Sequence, residues 1–515
     1  MKILLIILVC LAQETIQDVT KAKNLISQST QLNVPCQVDD DCNPPYIICS
    51  GESKLCEHKG IFPIYERELA GILIIPCLLS LFSIAGLGGG GVIIPLSMIF
   101  FVFDTKNAIA ISNFAIFTCS VTRYLYTLDK KNPEKKEYVL IDYNIAIVML
   151  PTVMMGSLTG VFLNIILPAI VLQLILTALL VFLGIQSLMK GKDMYKKETI
   201  KFEQESLKKK NLENSLTQVK NDESQHLLSR HQQQDNQAQT SSQYKAVNNF
   251  EIEAGTPQIS QREGLDYNSL ECKRLEHIIE KEKTHFQWDK HFTCISIFLI
   301  LLSTNLLRGN KSLESIVGID RCSSLDWIVL ACFYVACFSI TMYSISKVRT
   351  QQALKLKYNK GLAKCDIIMT NRNTLRLFIF SFIGGWISGA LGLGGGAIFN
   401  PILIGLGTPP AVATATSMYM ISFSSAGSTV TYIIYGLINI PFSIWVGIVG
   451  SFGATGGLAL FNVVTKKYNR QSLIVFVLSG VLVFSALLVP LFGGLDLLKL
   501  IDRGEDIFEI HSICQ

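Results

Sequence analysis

Apolar and polar positions along the chain fall into long blocks, not short alternations. From residue 69 onward, apolar runs occur at about 69–103, 107–127, 143–166 and 168–189. They recur at 292–307 and 325–346, and again at 377–405, 411–436, 441–464 and 471–492. A helix needs about 20 apolar residues to cross a bilayer, so the pattern predicts an all-α polytopic membrane protein. Two runs, 69–103 and 377–405, are interrupted by glycine clusters. Each glycine costs a helix interior about 1 kcal/mol relative to alanine, so consecutive ones break the helix. Counting the other runs as full spans gives eight, with the two broken segments as re-entrant elements.

Polar blocks set the boundaries between these runs. Residues 1–12 read as a signal peptide, with Lys2 ahead of a short apolar stretch and small residues at Cys10 and Ala12. An uncleaved anchor is the alternative. Residues 13–68 are polar and hold Cys36, Cys42, Cys49 and Cys56, which behind a signal suggest two disulfides in a lumenal or extracellular segment. A zinc site competes, although the spacing is not that of paired CxxC motifs. Asp39, Asp40 and Asp41 form an acidic run that either binds calcium or is a solvated loop. Residues 190–288 are rich in Lys, Glu, Gln, Asn and Ser and bury too little apolar surface to fold alone, so they are expected to be a disordered cytoplasmic loop. An amphipathic helix is expected within it near Leu270 to Lys283. Residues 289–374 then supply two linking spans and a basic link, and 493–515 form a short tail.

The two membrane blocks, 69–189 and 375–492, are copies of one another. Gly86-Leu87-Gly88-Gly89-Gly90-Gly91 leads into Pro95, and Gly392-Leu393-Gly394-Gly395-Gly396-Ala397 leads into Pro401. In both, a polar break and a second apolar segment follow. Lys and Arg gather at 129–137, at the start of the long loop, at 347–376 and at 466–470. If each broken segment enters and returns on one side while the N-terminus is outside, all four basic regions fall on the cytoplasmic face. The result is two inverted repeats, each with a glycine-broken re-entrant segment, as in many secondary transporters. A broken helix that crosses once is the alternative.

Composition agrees with this reading. Half of the 515 residues are hydrophobic and only 17% are charged, against about a quarter in soluble chains. The net charge of +5 is confined to a few loops and points to no nucleic-acid partner.

Irregular backbone at membrane depth is tolerated where it is buried in protein or lines a watery cavity. The glycines leave amide N–H groups unclaimed at the positive end of the following half-helix, which is an anion site made without charged side chains. The candidate substrate-binding residues are therefore Gly88, Gly89, Gly90, Gly91, Gly394, Gly395 and Gly396. Ser112, Asn113, Thr416 and Ser417, at matching places in the following segments, are secondary ligands. Close helix packing is the competing use of small residues in membranes, and Gly156-x-x-x-Gly160 and Gly453-x-x-x-Gly457 are assigned to it. Other hydroxyls, among them Thr118, Ser120, Thr414, Ser422 and Ser424, are expected to bond back to their own helices. Arg123 is expected to snorkel to the membrane surface and Asp104 to cap a helix. No buried Asp, Glu or His stands out as a proton relay, and no metal or cofactor is called for.

The repeated GLGGG-x-x-x-x-Pro element, followed by a segment opening on Ala and Ser/Thr, resembles the signature of the TauE/SafE family, or sulfite exporters. The resemblance covers about 69–189 and 375–492. It implies transport, usually export, of sulfite or a small organosulfur or other organic anion. The partners expected are thus a small anionic substrate and the lipid bilayer, with a homo-oligomer and a cytoplasmic partner of loop 190–288 as further options. The alternative of a different class is a membrane receptor or scaffold, with the Cys segment sensing outside and the long loop recruiting inside. An intramembrane enzyme lacks a catalytic cluster in the spans.

Overall fold

The computed structural model describes residues 35–42, 45–51, 54–85, 88–233, 270–309, 315–362, 366–468, 475–476, 479–480, 482–491 and 494. The signal segment at 1–12 and the tail beyond 494 lie outside the described residues. The chain divides into a main unit (Met1–Gly191 with Arg274–Gln515) and a second unit (Lys192–Lys273).

The helices follow the apolar blocks. They are α1 (Glu66–Ala85), α2 (Gly90–Phe100), α3 (Thr105–Thr127), α4 (Tyr143–Ile166), α5 (Ala169–Gln233), α6 (Leu270–Lys283), α7 (Trp288–Arg308), α8 (Ser324–Lys357), α9 (Asn371–Leu391), α10 (Gly396–Gly405), α11 (Pro410–Ile434), α12 (Ile440–Tyr468) and α13 (Leu482–Leu491). Among the described residues, seven helices are long and apolar enough to cross a membrane, and the protein is an all-α multi-pass membrane protein. Starts are set by caps: the carboxylates of Asp104 and Asp142 accept backbone N–H bonds at the heads of α3 and α4, and Ser323 and Thr370 do the same for α8 and α9.

Two features differ from expectation. The chain from 190 to 233 continues α5 as helix instead of forming a disordered loop, because Lys, Glu and Gln are good helix formers and the helix is already nucleated upstream. The centre of that polar stretch, 234–269, lies outside the described residues. In addition, α9 is by itself 21 residues long and is a candidate span. The second broken segment therefore has a long arm and a half-length arm.

The first broken segment folds back on itself. A Cβ on Gly71, near the start of α1, would stand 2.6 Å from Cβ of Phe100, at the end of α2. The half-helix α2 thus runs back toward the end where α1 began. In the second segment Gly384 of α9 lies against the ring of Phe399 in α10. Pro95 and Pro401 are each the sixth residue of their half-helix. There each removes one intrahelical hydrogen bond.

Each half is packed chiefly on the other. Along α4 and α9, a Cβ on Gly156 or Gly160 would strike the carbonyls of Phe382 and Trp386 at 2.1 and 2.3 Å. Reciprocally, Gly385 and Gly389 lie against the carbonyls of Val153 and Ser157 at 2.1 Å each. Gly453 and Gly457 of α12 meet the carbonyls of Pro76 and Ser80 of α1 in the same way. Without a hydrophobic drive between helices in lipid, close backbone approach of this kind supplies the packing. The helices α3 and α11 complete the centre, packing on each other and on α12 and α4. The linking spans α7 and α8 are tied by Arg308 and Asp326, a buried pair in which Arg308 Nη2 donates to Asp326 Oδ2 at 3.1 Å. The second unit contains the continuation of α5 from residue 192 to 233 and the start of α6.

Ahead of α1, Cys36–Cys49 and Cys42–Cys56 disulfides close a small lobe around an antiparallel hairpin, β1 (Ile47–Cys49) and β2 (Cys56–His58). Two of the three carboxylates of the acidic run are used inside it. Asp41 accepts from the backbone N–H of Gln37 and Val38, which lowers its pKa, and Asp39 accepts from Cys49 N–H at 2.9 Å. The lobe is seated on the membrane part by His58, whose Nε2 lies 2.6 Å from the Phe101 carbonyl while its ring stacks on Phe103. Beside it Lys59 and Glu68 form a buried ion pair at 2.9 Å.

Candidate functional site

The two glycine breaks meet inside the main unit. A Cβ on Gly88 would lie 3.8 Å from Cα of Gly394, and one on Gly90 only 1.9 Å from the carbonyl oxygen of Gly392. Gly86 and Leu87 lie outside the described residues. Gly88 and Gly89 have φ of +82° and +90°, and Gly392 and Gly394 have +60° and +73°. Backbone in this region excludes most side chains, so both the fold of the breaks and their mutual approach need glycine.

Donors and acceptors at this junction are unequally satisfied. The first bonds of α2 run from Val92 and Ile93 N–H to the Gly89 carbonyl, and those of α10 from Ile398 and Phe399 to the Gly395 carbonyl. The N–H groups of Gly90, Gly91, Gly396 and Ala397 have no acceptor among the described residues. The carbonyls at the C-terminal end of α9, by contrast, are capped by side chains. Tyr432 Oη donates to Gly389 O at 2.8 Å, Asn164 Nδ2 to Ala390 O at 2.8 Å and Ser112 Oγ to Gly392 O at 2.7 Å. The junction therefore holds its carbonyls neutralised and leaves amide donors at two positive helix ends.

Of the residues singled out in the sequence, Gly88 to Gly91, Gly394 to Gly396, Ser112 and Asn113 gather at or beside this junction. Asn113 Nδ2 donates to Ile109 O at 3.1 Å and would lie 3.4 Å from a Cβ on Gly392, while its Oδ1 has no partner. Ser417 Oγ is buried without a partner. Thr416 is engaged elsewhere: its Oγ1 accepts from Asp142 N–H at 2.9 Å, holding the loop ahead of α4. Thr118, Ser120, Thr414, Ser422 and Ser424 bond back to carbonyls of their own helices. Arg123 does not snorkel. It is 7% exposed, and its Nε and Nη1 are buried without a hydrogen-bond partner, because α11 and α12 pack over α3.

Sequence reasoning missed Asn164 and Tyr432. The available signal was an amide or phenol within a span, a polar group that in a membrane needs a partner; it did not set these two apart from Asn144 and Tyr419 on the same helices. Among the described residues, the group of metal-ligating type is Cys36, Cys42 and Cys49. Their sulfurs are taken by the disulfides.

A family profile described as Sulfite exporter TauE/SafE matches residues 70–221 and 377–502, the two blocks that carry the glycine breaks. The chain is 24% identical over 460 residues to Sulfite exporter TauE/SafE family protein 3 of Arabidopsis thaliana, covering 88% of this chain and 85% of that one. To family protein 1 of the same plant it is 24% identical over 425 residues, covering 81% and 82%. To family protein 5 it is 25% identical over 441 residues, covering 85% and 86%. No solved structure matches the chain.

Proposed function

The chain belongs to the sulfite exporter TauE/SafE family, a family of membrane transport proteins and not of enzymes, and from that premise we propose that it moves sulfite or a related small anion by alternating access at the glycine junction. The observation that carries this reading is the convergence of two half-helix starts whose first amide N–H groups lack acceptors among the described residues. Such ends bind anions through backbone dipoles. In a dry site these donors act without a charged residue that would hold the solute too firmly.

The hairpin of α1 and α2 opens on the side of the disulfide lobe. The segment ahead of α9 and the α10–α11 turn stand beside the loop ahead of α4, at the far end of α3. These placements support an inverted pair of repeats that rock about a common centre. The basic loops then lie in the cytoplasm and the lobe outside, and outward movement of the anion is export.

The test is flux in proteoliposomes made with the purified full chain. Saturable uptake or release of radiolabelled sulfite, competed by an organosulfonate, is expected. An absence of flux for every anion of a sulfite, sulfate, sulfonate and carboxylate panel would reject the transport reading in favour of the scaffold one.

A further inference from the structure

Away from the glycine junction, a polar cleft opens among the described residues. It lies where the linking spans join the two repeats. Its walls come from the loop ahead of α4, the end of α6, the first turn of α7, the end of α8, and the start of α11. The portions from α6, α7 and α8 fall outside the stretches matched by the family profile, so the cleft is built jointly by the repeats and the insert between them.

Three lysines and three carboxylates line it, and most are used up. Lys135 is paired with Asp366, and Lys355 Nζ donates to both oxygens of Glu282 at 2.8 and 2.6 Å. One oxygen of Asp142, Oδ1, accepts from the N–H groups of Asn144 and Ile145 at the head of α4. Burial, and after it the charge of Asp366, raise the Asp142 pKa. Lys290 is left over. It is 4% exposed and makes no hydrogen bond, although Glu282 and Asp142 attract it through space. Its ammonium lines the open cleft without a direct hydrogen bond, so its donors are available to an acceptor that enters. Three more polar atoms in the wall are unused: the acceptors Asn144 Oδ1 and Gln287 Oε1, and the hydroxyl Thr408 Oγ1, which alone of the three can donate.

From this cleft we infer that the protein has a second anion-binding site, in which Lys290 and Thr408 hold an oxyanion at the junction of the linking spans with the repeats. The ligand offers several acceptor oxygens in a compact charged group, as a free phosphate, sulfate or sulfite does, or as the phosphate of an anionic lipid headgroup does. The site is independent of the transport reading, since its signature is binding and not flux.

The experiment follows thermal unfolding of the purified full chain, titrated with phosphate, sulfate or sulfite against chloride at constant ionic strength. A second arm compares phosphatidylcholine nanodiscs with and without phosphatidylglycerol. The unfolding midpoint of the wild type is expected to rise with oxyanion or with the anionic lipid, and the responsive arm identifies the source. In Lys290→Met the apparent affinity is expected to fall by about tenfold or more, the scale of losing hydrogen bonds to a charged group. Its unliganded midpoint should equal or exceed the wild type, because an unsatisfied charge is gone. Thr408→Val should weaken the response by less and leave the unliganded midpoint unchanged. If Lys290 is only a strut for Glu282 and Asp142, Lys290→Met unfolds at lower temperature and the wild type ignores every oxyanion and headgroup. That result, or an undiminished response in Lys290→Met, overturns the site.

Discussion

Ser112 and Gly392, 280 positions apart in sequence, are joined by a 2.7 Å hydrogen bond from the serine hydroxyl to the glycine carbonyl. The bond ties α3 to the backbone of the second glycine break. Ser112→Ala strands that carbonyl in a buried site, at a cost of about 1–3 kcal/mol. The variant is expected to unfold at lower temperature in detergent and to lose flux. Ser112→Thr, which keeps the donor, should recover most of both.

Gly90 has no room for a methyl group, since a Cβ there would sit 1.9 Å from the Gly392 carbonyl oxygen. Gly90→Ala is expected to push the two breaks apart and to abolish anion flux in proteoliposomes. Gly456→Ala is the control, because nothing lies within 4 Å of its Cβ. It should transport as the wild type does. Equal flux from the two variants would show that the breaks need not touch.

The buried pair Arg308 and Asp326 couples the two linking spans. Asp326→Ala leaves an uncompensated guanidinium and should cost about 3–5 kcal/mol, whereas the double change Arg308→Met with Asp326→Leu should cost much less. Thermal unfolding of the three proteins side by side checks the order.

The seat of the disulfide lobe depends on acidity. Burial lowers the His58 pKa, against the raising effect of the Phe101 and Lys59 carbonyls and of Glu68; Lys59 lowers it further. A group depressed in the folded state contributes stability that is present above its unfolded value, about 6.5, and is lost as pH falls through the folded value. Limited proteolysis of the lobe should therefore be slow at pH 8 and faster as the medium is taken below about pH 6.5. In His58→Gln that dependence should flatten.

Much of the scaffold was legible because membrane insertion writes itself into composition. The heads of α3 and α4 follow from Asp104 and Asp142, and the GxxxG pairs reported their own use in packing. The glycine breaks were legible for the same reason, since nothing else interrupts a lipid-buried helix so abruptly. What could not be read was which partner each polar group finds. Thr416 and Ser417 are neighbours in sequence with the same chemistry, yet the helical turn of about 100° per residue sends one to Asp142 and leaves the other buried without a partner. Arg123 looked like a residue near a span end, and only the packing of α11 and α12 over α3 removes its route to water. Lys290 and Glu282 sit on either side of a helix boundary, and their shared cleft depends on Lys355, more than sixty residues onward.

The seam between the halves sets the order of events during synthesis. Asn164 of α4 donates to Ala390 of α9, 226 residues later, and the glycine groove of α4 waits as long for the ridge that fills it. During synthesis the first half is complete before the helix that fills this groove has been made. A message that stops within the long polar stretch would yield an orphan with nothing to close against, fit for degradation and not for half a transporter.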